Sequence, residues 1–195
     1  KIEHAAVINT LEELASKGMI KLSYVDLDKK GNVNLEHLEI LLKSSDRSFV
    51  SLMHANNEIG NLLDIHAVGE LCKSYNAIFH SDSVQTMSHY KFDLQKINVH
   101  FITGAAHKFH GPKGNGFLYI NSDVKINSFI SGGGQERNLR AGTENVYGIA
   151  GLSKAMDISY KNLDYHRKHI EKLKLRMIAG LKKYIPGVQF NGESE

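Results

Sequence analysis

The feature that most constrains this chain is the repeated switch of its apolar pattern between two periods. Val7, Leu11, Leu14 and Ala15 share one helical face, and Ile20 to Val25 then reads as a strand. Asn34 is placed to cap a helix in which Leu35, Leu38, Leu41 and Leu42 recur at helical spacing. Ser48 to Met53 reads as a buried strand. Asp64 can cap a helix whose inner face is Ile65, Val68, Leu71, Cys72 and Tyr75. Ala77 to His80, Val99 to Thr103 and Gly116 to Ile120 read as three more strands. Parallel neighbours in a sheet need a crossover of about helix length, so this alternation predicts a three-layer α/β/α domain with a mostly parallel sheet. From Glu144 to Tyr184 the pattern is mainly helical, with Gly148 and Gly151 weakening its first turns. Pro186-Gly187 ends it, and Val188 to Phe190 opens a further strand-like run.

Composition removes several classes. Cys72 is the only cysteine among 195 residues, which excludes an intrachain disulfide and any CxxC metal or redox motif. The net charge is only +3 and the Lys and Arg residues are scattered, so no nucleic-acid contact is expected. No apolar run approaches the ~18–20 residues of a membrane-crossing helix, and no basic, apolar leader is visible, so the expected compartment is the cytoplasm, with no membrane contact.

In a parallel sheet, ligands bind beyond the carboxyl ends of the strands. Four unusual segments fall there: Met53 to Gly60, His80 to Gln85, Gly104 to Gly114 and Gly132 to Thr143. Asp82 either closes an Asx turn or offers a carboxylate to a cationic heterocycle or a metal, with Gln85 aimed into the same cleft. Lys108, flanked by His107 and His110, is either an exposed loop lysine or a desolvated amine made nucleophilic by a lowered pKa. Asn56 and Asn57 are turn residues or donors to a ligand oxygen. The triple glycine 132–134 is a flexible loop or, with Arg137, Arg140 and Thr143, an anion site. The patterns GxxxxGK[ST], GxGxxG and HExxH are absent. His80 and Asp82, with His54 or His107, leave a metal-dependent hydrolase as a remote alternative.

Taken in order, Glu3-His4-Ala-Ala-Val7, Met53 to Gly60, His80-Ser-Asp-Ser-Val-Gln85, His107-Lys108 to Gly114, and Gly132 to Arg137 with Arg140-Ala-Gly-Thr143 resemble a cysteine desulfurase of the class V aminotransferase family. The resemblance implies fold type I of the pyridoxal 5'-phosphate (PLP) enzymes. Residues 1–185 would be the central and C-terminal part of the cofactor-binding large domain, ending in a long linking helix. Residues 186–195 would start a small C-terminal domain. It implies Lys108 as the lysine that holds the cofactor as a Schiff base and as the catalytic acid/base. His4 would be the imidazole stacked on the ring, also catalytic. Asp82 would partner the ring nitrogen, Gln85 and Asn57 the phenolic oxygen, and His107 the phosphate. Thr143 would reach the phosphate in a neighbouring subunit, making the enzyme a homodimer. No metal is implied.

The reaction implied is conversion of L-cysteine to alanine, with the sulfur carried as a persulfide to an acceptor such as an iron–sulfur scaffold protein. A selenocysteine lyase, an aminotransferase or an inactive scaffold of the same fold are the near alternatives. Two departures stand out. Ala105 replaces the family's usual phosphate-binding serine, a loss of about 1 kcal/mol. The nucleophilic-cysteine loop, the arginine for the substrate carboxylate and a Gly- and Thr-containing phosphate loop have no counterpart in this stretch, so alone it is expected to be inactive. Cys72, on an inner helix face, reads as an ordinary buried thiol.

Overall fold

The computed structural model describes residues 2–194. In chain order the elements are α1 (Ala5–Ser16), α2 (Leu35–Lys43), β1 (Phe49–Ser51), α3 (Ile65–Ser74), β2 (Ile78–Asp82), β3 (Phe101–Ala105), a 3₁₀ turn (Ala106–Phe109), β4 (Gly116–Ile120), the single turn α4 (Gln135–Asn138), α5 (Val146–Lys161) and α6 (Leu163–Tyr184). Local chemistry explains where the early helices begin. Asn34 Oδ1 accepts the His37 N–H at 2.9 Å, and Asp64 Oδ1 accepts the Ala67 N–H at 2.9 Å. Each satisfies one of the amides that a helix start leaves without a partner, a contribution of about 1 kcal/mol.

The four strands lie in the order β1-β2-β3-β4. The first three are parallel and β4 is antiparallel to β3. One face of the sheet carries the core. Val50, Phe79 and Ile102 meet Val68 and Cys72 of α3, Leu38 and Leu42 of α2, and the inner side of α5 through Leu152, Ala155 and Met156. Phe79 and Ile102 are fully buried, each stabilising the fold by roughly 1.5–3 kcal/mol. Close approach explains two glycines. A Cβ at Gly104 would overlap the Phe117 ring across the β3–β4 pair, and one at Gly148 would overlap Asn115. The second is why α5 opens on a residue that weakens a helix. The other face of the sheet borders a groove in which Ala6, Val7 and Leu11 of α1 look across at Phe49, His80, Phe101 and Leu118. No helix among the described residues is long and apolar enough to cross a membrane.

Two expectations are corrected. Residues 20–25 form no strand: the run has no neighbour to supply a ladder, only Leu27 bridging Val33, and Val25 packs singly on the core. Val188 to Phe190 is likewise unpaired. The chain after it is instead tied to the 28–32 turn, with Glu193 bonded to Asn32 at 3.1 Å and to Lys30 at 3.2 Å. The mainly helical stretch 144–184 is present, as α5 followed by α6. Where they join, the Asn162 amide and side chain both donate to the Ile158 carbonyl, at 3.2 and 2.8 Å.

Candidate active site

Three parallel strands put three of the unusual segments at one edge. The chain leaves β1 into 53–60, β2 into 82–85 and β3 into 105–114, and Asp82 pairs in register with Thr103 of β3. Leu52 and His54 continue the ladder past β1, their amides donating to His80 and Asp82 carbonyls at 3.2 and 2.9 Å.

Asp82 is buried, at 7% exposure. Its Oδ1 accepts the Val84 N–H at 3.0 Å, so the Asx turn expected from sequence is present. The second oxygen has no hydrogen bond, and no cationic side chain forms an ion pair with Asp82 among the described residues. A buried carboxylate in that condition suits a ligand that brings a positive charge and a proton to donate. Gln85 follows, half-buried, on a turn held by Thr86 and Met87 amides donating to the Ser83 carbonyl.

Lys108 lies on the 3₁₀ turn after β3, whose backbone is tied to the Asp82 side by a 3.1 Å contact between His89 Nε2 and the Lys108 carbonyl. Its side chain is exposed, as is that of His107. Thr143 is exposed on the loop before α5, and no hydrogen bond among the described residues joins it to the Asp82 group. Before it, Glu136, Arg137 and Asn138 all have positive φ, and Arg140 donates to the Ala141 carbonyl at 2.9 Å.

The start of the chain folds onto the loop after β1. His4 caps α1, its Nδ1 accepting the Ala6 N–H at 3.2 Å, with the ring exposed. Asn56 and Asn57 separate cleanly. Asn56 is buried, with Nδ2 donating to the Ile2 carbonyl at 2.6 Å and Oδ1 accepting from Glu58 and Ile59 at 2.8 and 2.9 Å. It is a clamp. Asn57 is exposed, its amide resting on the Glu58 carboxylate, and it faces the cleft lined by Ile2, Glu3, His4 and Ala5. Glu3, to which sequence reasoning assigned no role, is inside this site: Oε1 accepts the Met53 N–H at 2.5 Å, and Oε2 is buried without a partner among the described residues. Burial, above all, raises its pKa from the ordinary 4.5 to about 7, the Met53 bond opposing and Asp82 adding to the rise.

Of the histidines considered as metal ligands, His80 and His54 are occupied. His80 bridges Ser51 and Thr103, each at 2.9 Å, and burial lowers its pKa against the pull of Asp82. His54 is buried between Tyr90 and Phe92, with Nδ1 on Thr86 at 2.9 Å; burial, and then His66, lowers its pKa to about 4. Among the described residues no three His, Cys, Asp or Glu side chains converge as a metal site. Cys72 is fully buried, and burial pushes its thiol up to about 12.

Comparison with known proteins gives a consistent result. The family model for Aminotransferase class-V matches residues 1–195. A cysteine desulfurase IscS of Clostridium botulinum is 42% identical over all of this chain, which covers 49% of that protein. A solved NifS-like protein superposes with a TM-score of 0.89 at 44% identity, over 93% of this chain and 50% of its own. A NifS-like protein from Rickettsia africae superposes at 0.88 with 34% identity, over 97% and 54%. The chain thus spans about half the length of the curated relatives it matches.

Proposed function

The chain belongs to the aminotransferase class-V family, and from that premise we propose that it is the cofactor-holding part of a PLP-dependent cysteine desulfurase. The observation that carries the reading is Asp82: a buried carboxylate at a strand end, with one oxygen free of hydrogen bonds and no cation paired to it among the described residues. A protonated ring nitrogen is the cation that such a group lacks. Lys108 follows the adjacent strand with its amine exposed to whatever binds there.

In this reading Asp82 holds the ring nitrogen, Gln85 and Asn57 donate to the phenolic oxygen, and His107 binds phosphate. The ring of His4 covers one face, and Lys108 is the point of attachment. Ala105 contributes no side-chain hydrogen bond to the phosphate. Bound PLP would supply an electron sink for the pair released at the substrate α-carbon. The Lys108 amine takes and returns the proton there, as general base and then acid. A cysteine thiolate of the whole protein attacks the sulfur of L-cysteine. An S–S bond forms as the C–S bond breaks, and the C–S electron pair stays on the alanine skeleton, where it is protonated. Cys72 is not that cysteine, since a buried thiol with a pKa of about 12 holds its proton. The persulfide passes to an acceptor protein of iron–sulfur cluster assembly.

Residues 1–185 belong to the large domain and 186–195 begin the small one. The enzyme is a cytoplasmic homodimer in which Thr143 serves the neighbouring cofactor. The test uses the full-length protein with L-cysteine and a thiol reductant. Equal amounts of alanine and sulfide are expected, and neither from Lys108→Ala. A keto acid formed without sulfide would assign the protein to another class V activity.

A further inference from the structure

The loop that carries Asn57 is held from two sides, and only the clamp on Ile2 belongs to the cleft described above. Residues 54–63 fold as a small hairpin. The Leu63 amide donates to the His54 carbonyl at 2.8 Å, Ala55 bridges Leu62, and the Asn56 amide donates to the Asn61 carbonyl at 3.2 Å. Asn57 sits at the tip. On the side away from Ile2, Asn61 is buried at 6% exposure. Its Nδ2 donates to the Lys30 carbonyl at 2.8 Å and to Asn32 Oδ1 at 2.9 Å, and its Oδ1 accepts the Glu193 N–H at 3.3 Å. Both amide hydrogens and the oxygen are therefore used, all on residues remote in sequence. The turn that receives them is stiff, since Asp28 Oδ1 accepts the Lys30 and Asn32 amides, both at 2.8 Å. Residues 192 and 193 close the joint. The Glu193 carboxylate accepts Asn32 Nδ2 at 3.1 Å and meets Lys30 Nζ at 3.2 Å. Gly192 has a φ of +67°, and a Cβ there would come within 2.6 Å of Asn61 Oδ1, so glycine is what lets this strap approach.

We propose that Asn61 is a positioning residue for Asn57, and that the Gly192–Glu193 strap, by bonding to Asn61, ties the chain that follows α6 to the loop that meets the cofactor. A buried amide stripped of its partners costs more than its bonds contribute when made, so the hairpin stem follows the turn and the strap. The tip follows the stem, because the Gly60 amide donates to the Asn56 carbonyl at 3.0 Å and closes the loop around Asn57. Ile59 adds a second contact between tip and turn: a Cβ on Gly31 would come within 2.7 Å of its Cδ1. The ion pair of Glu193 with Lys30 is exposed and adds little. The backbone bond to buried Asn61 and the fit of Gly192 carry the joint. A shift of the segment after Pro186-Gly187 is thereby felt at Asn57, although that segment does not line the cleft. The part that concerns PLP rests on the proposed function; the joint itself does not.

The test separates the two. In the first arm, hydrogen exchange of the cofactor-free, full-length protein is followed by mass spectrometry for wild type, Asn61→Ala and Gly192→Ala. Gly192→Ala alters the joint from its outer side and so reports even where Asn61→Ala does not fold. Peptides covering 54–63 should exchange roughly three- to tenfold faster in Gly192→Ala, the range set by losing one or two net hydrogen bonds, while α3 exchanges as in wild type. Wild-type exchange of 54–63 in Gly192→Ala, or an equal acceleration in α3, overturns the proposal. In the second arm PLP is titrated into wild type, Gly192→Ala, Asn57→Ala and the double variant. Each single variant should bind roughly three- to tenfold more weakly, and the double variant no more weakly than Asn57→Ala alone. A further loss in the double variant, or wild-type binding in Gly192→Ala beside a weakened Asn57→Ala, refutes the coupling. Wild-type binding in Asn57→Ala refutes the reading of Asn57 and leaves the joint, as read by exchange, standing.

Discussion

The raised pKa of Glu3 makes stability depend on pH in a direction opposite to that of an ion-paired carboxylate. Below pH 4.5 the folded and unfolded chains both hold the Glu3 proton, and the residue adds nothing to the slope. Between 4.5 and about 7 the unfolded chain gives it up while the folded chain keeps it, so the folded state loses stability as pH rises, and the loss is complete above about 7. A difference of about 2.5 pKa units corresponds to about 3 kcal/mol. His54 acts in the opposite sense, so the wild-type profile alone is uninformative. Glu3→Gln isolates the effect. Its stability relative to wild type should rise by about 3 kcal/mol between pH 4.5 and pH 8, roughly 6–12 °C in Tm for a chain of this size. Urea unfolding at several pH values, followed by circular dichroism, measures it. A difference between the two proteins that stays constant over that range would refute the reasoning, because Glu3 would then titrate alike in both states.

Three further outcomes follow from the same geometry. His54, held neutral by burial, opposes the Glu3 effect: its own contribution to stability falls as pH drops from 6.5 to about 4, so His54→Gln should gain stability relative to wild type over that range in denaturant titrations. A difference between His54→Gln and wild type that stays constant over that range would contradict the burial of His54. Gly104→Ala should destabilise by about 1–3 kcal/mol through overlap with the Phe117 ring, with Phe117→Leu recovering part of the loss in a double-mutant cycle. A neutral Gly104→Ala would mean that the strands are not packed as described. Cys72 should resist a thiol reagent in the native protein and react after denaturation, and Cys72→Ala should leave sulfide release by the full-length protein unchanged. Fast native labelling would place Cys72 at the surface.

Much of the fold is legible because its signals are local. Asn34 and Asp64 are capping residues immediately before apolar residues at helical spacing, and α2 and α3 start there. Ile65, Val68 and Cys72 recur at the period that buries one face. The misread segments are those where local signal and long-range pairing part. Ile20 to Val25 has strand composition, but a strand needs a neighbour, and no residue pattern near it says that none will come. In the site, the strand-end positions of Asp82 and Lys108 follow from the strand pattern itself. The difference between Asn56 and Asn57 does not: it depends on residues 2–4 folding back over the loop after β1. Glu3 escapes for the same reason, since a glutamate ahead of a helix cap reads as solvated until Met53 is seen to sit against it. Gly148 reads as a weak point of a helix, and its reason, the closeness of Asn115, exists only in three dimensions.

The central claim is that this chain positions PLP on Lys108 beside Asp82. The most direct measurement is borohydride reduction of the PLP-loaded, full-length protein, followed by peptide mass mapping. The account predicts a reduced pyridoxyl adduct on Lys108, and loss of both the adduct and the visible absorbance in Lys108→Ala. An adduct on another lysine such as Lys113, or a wild-type protein that stays colourless with PLP and carries no adduct, would contradict it.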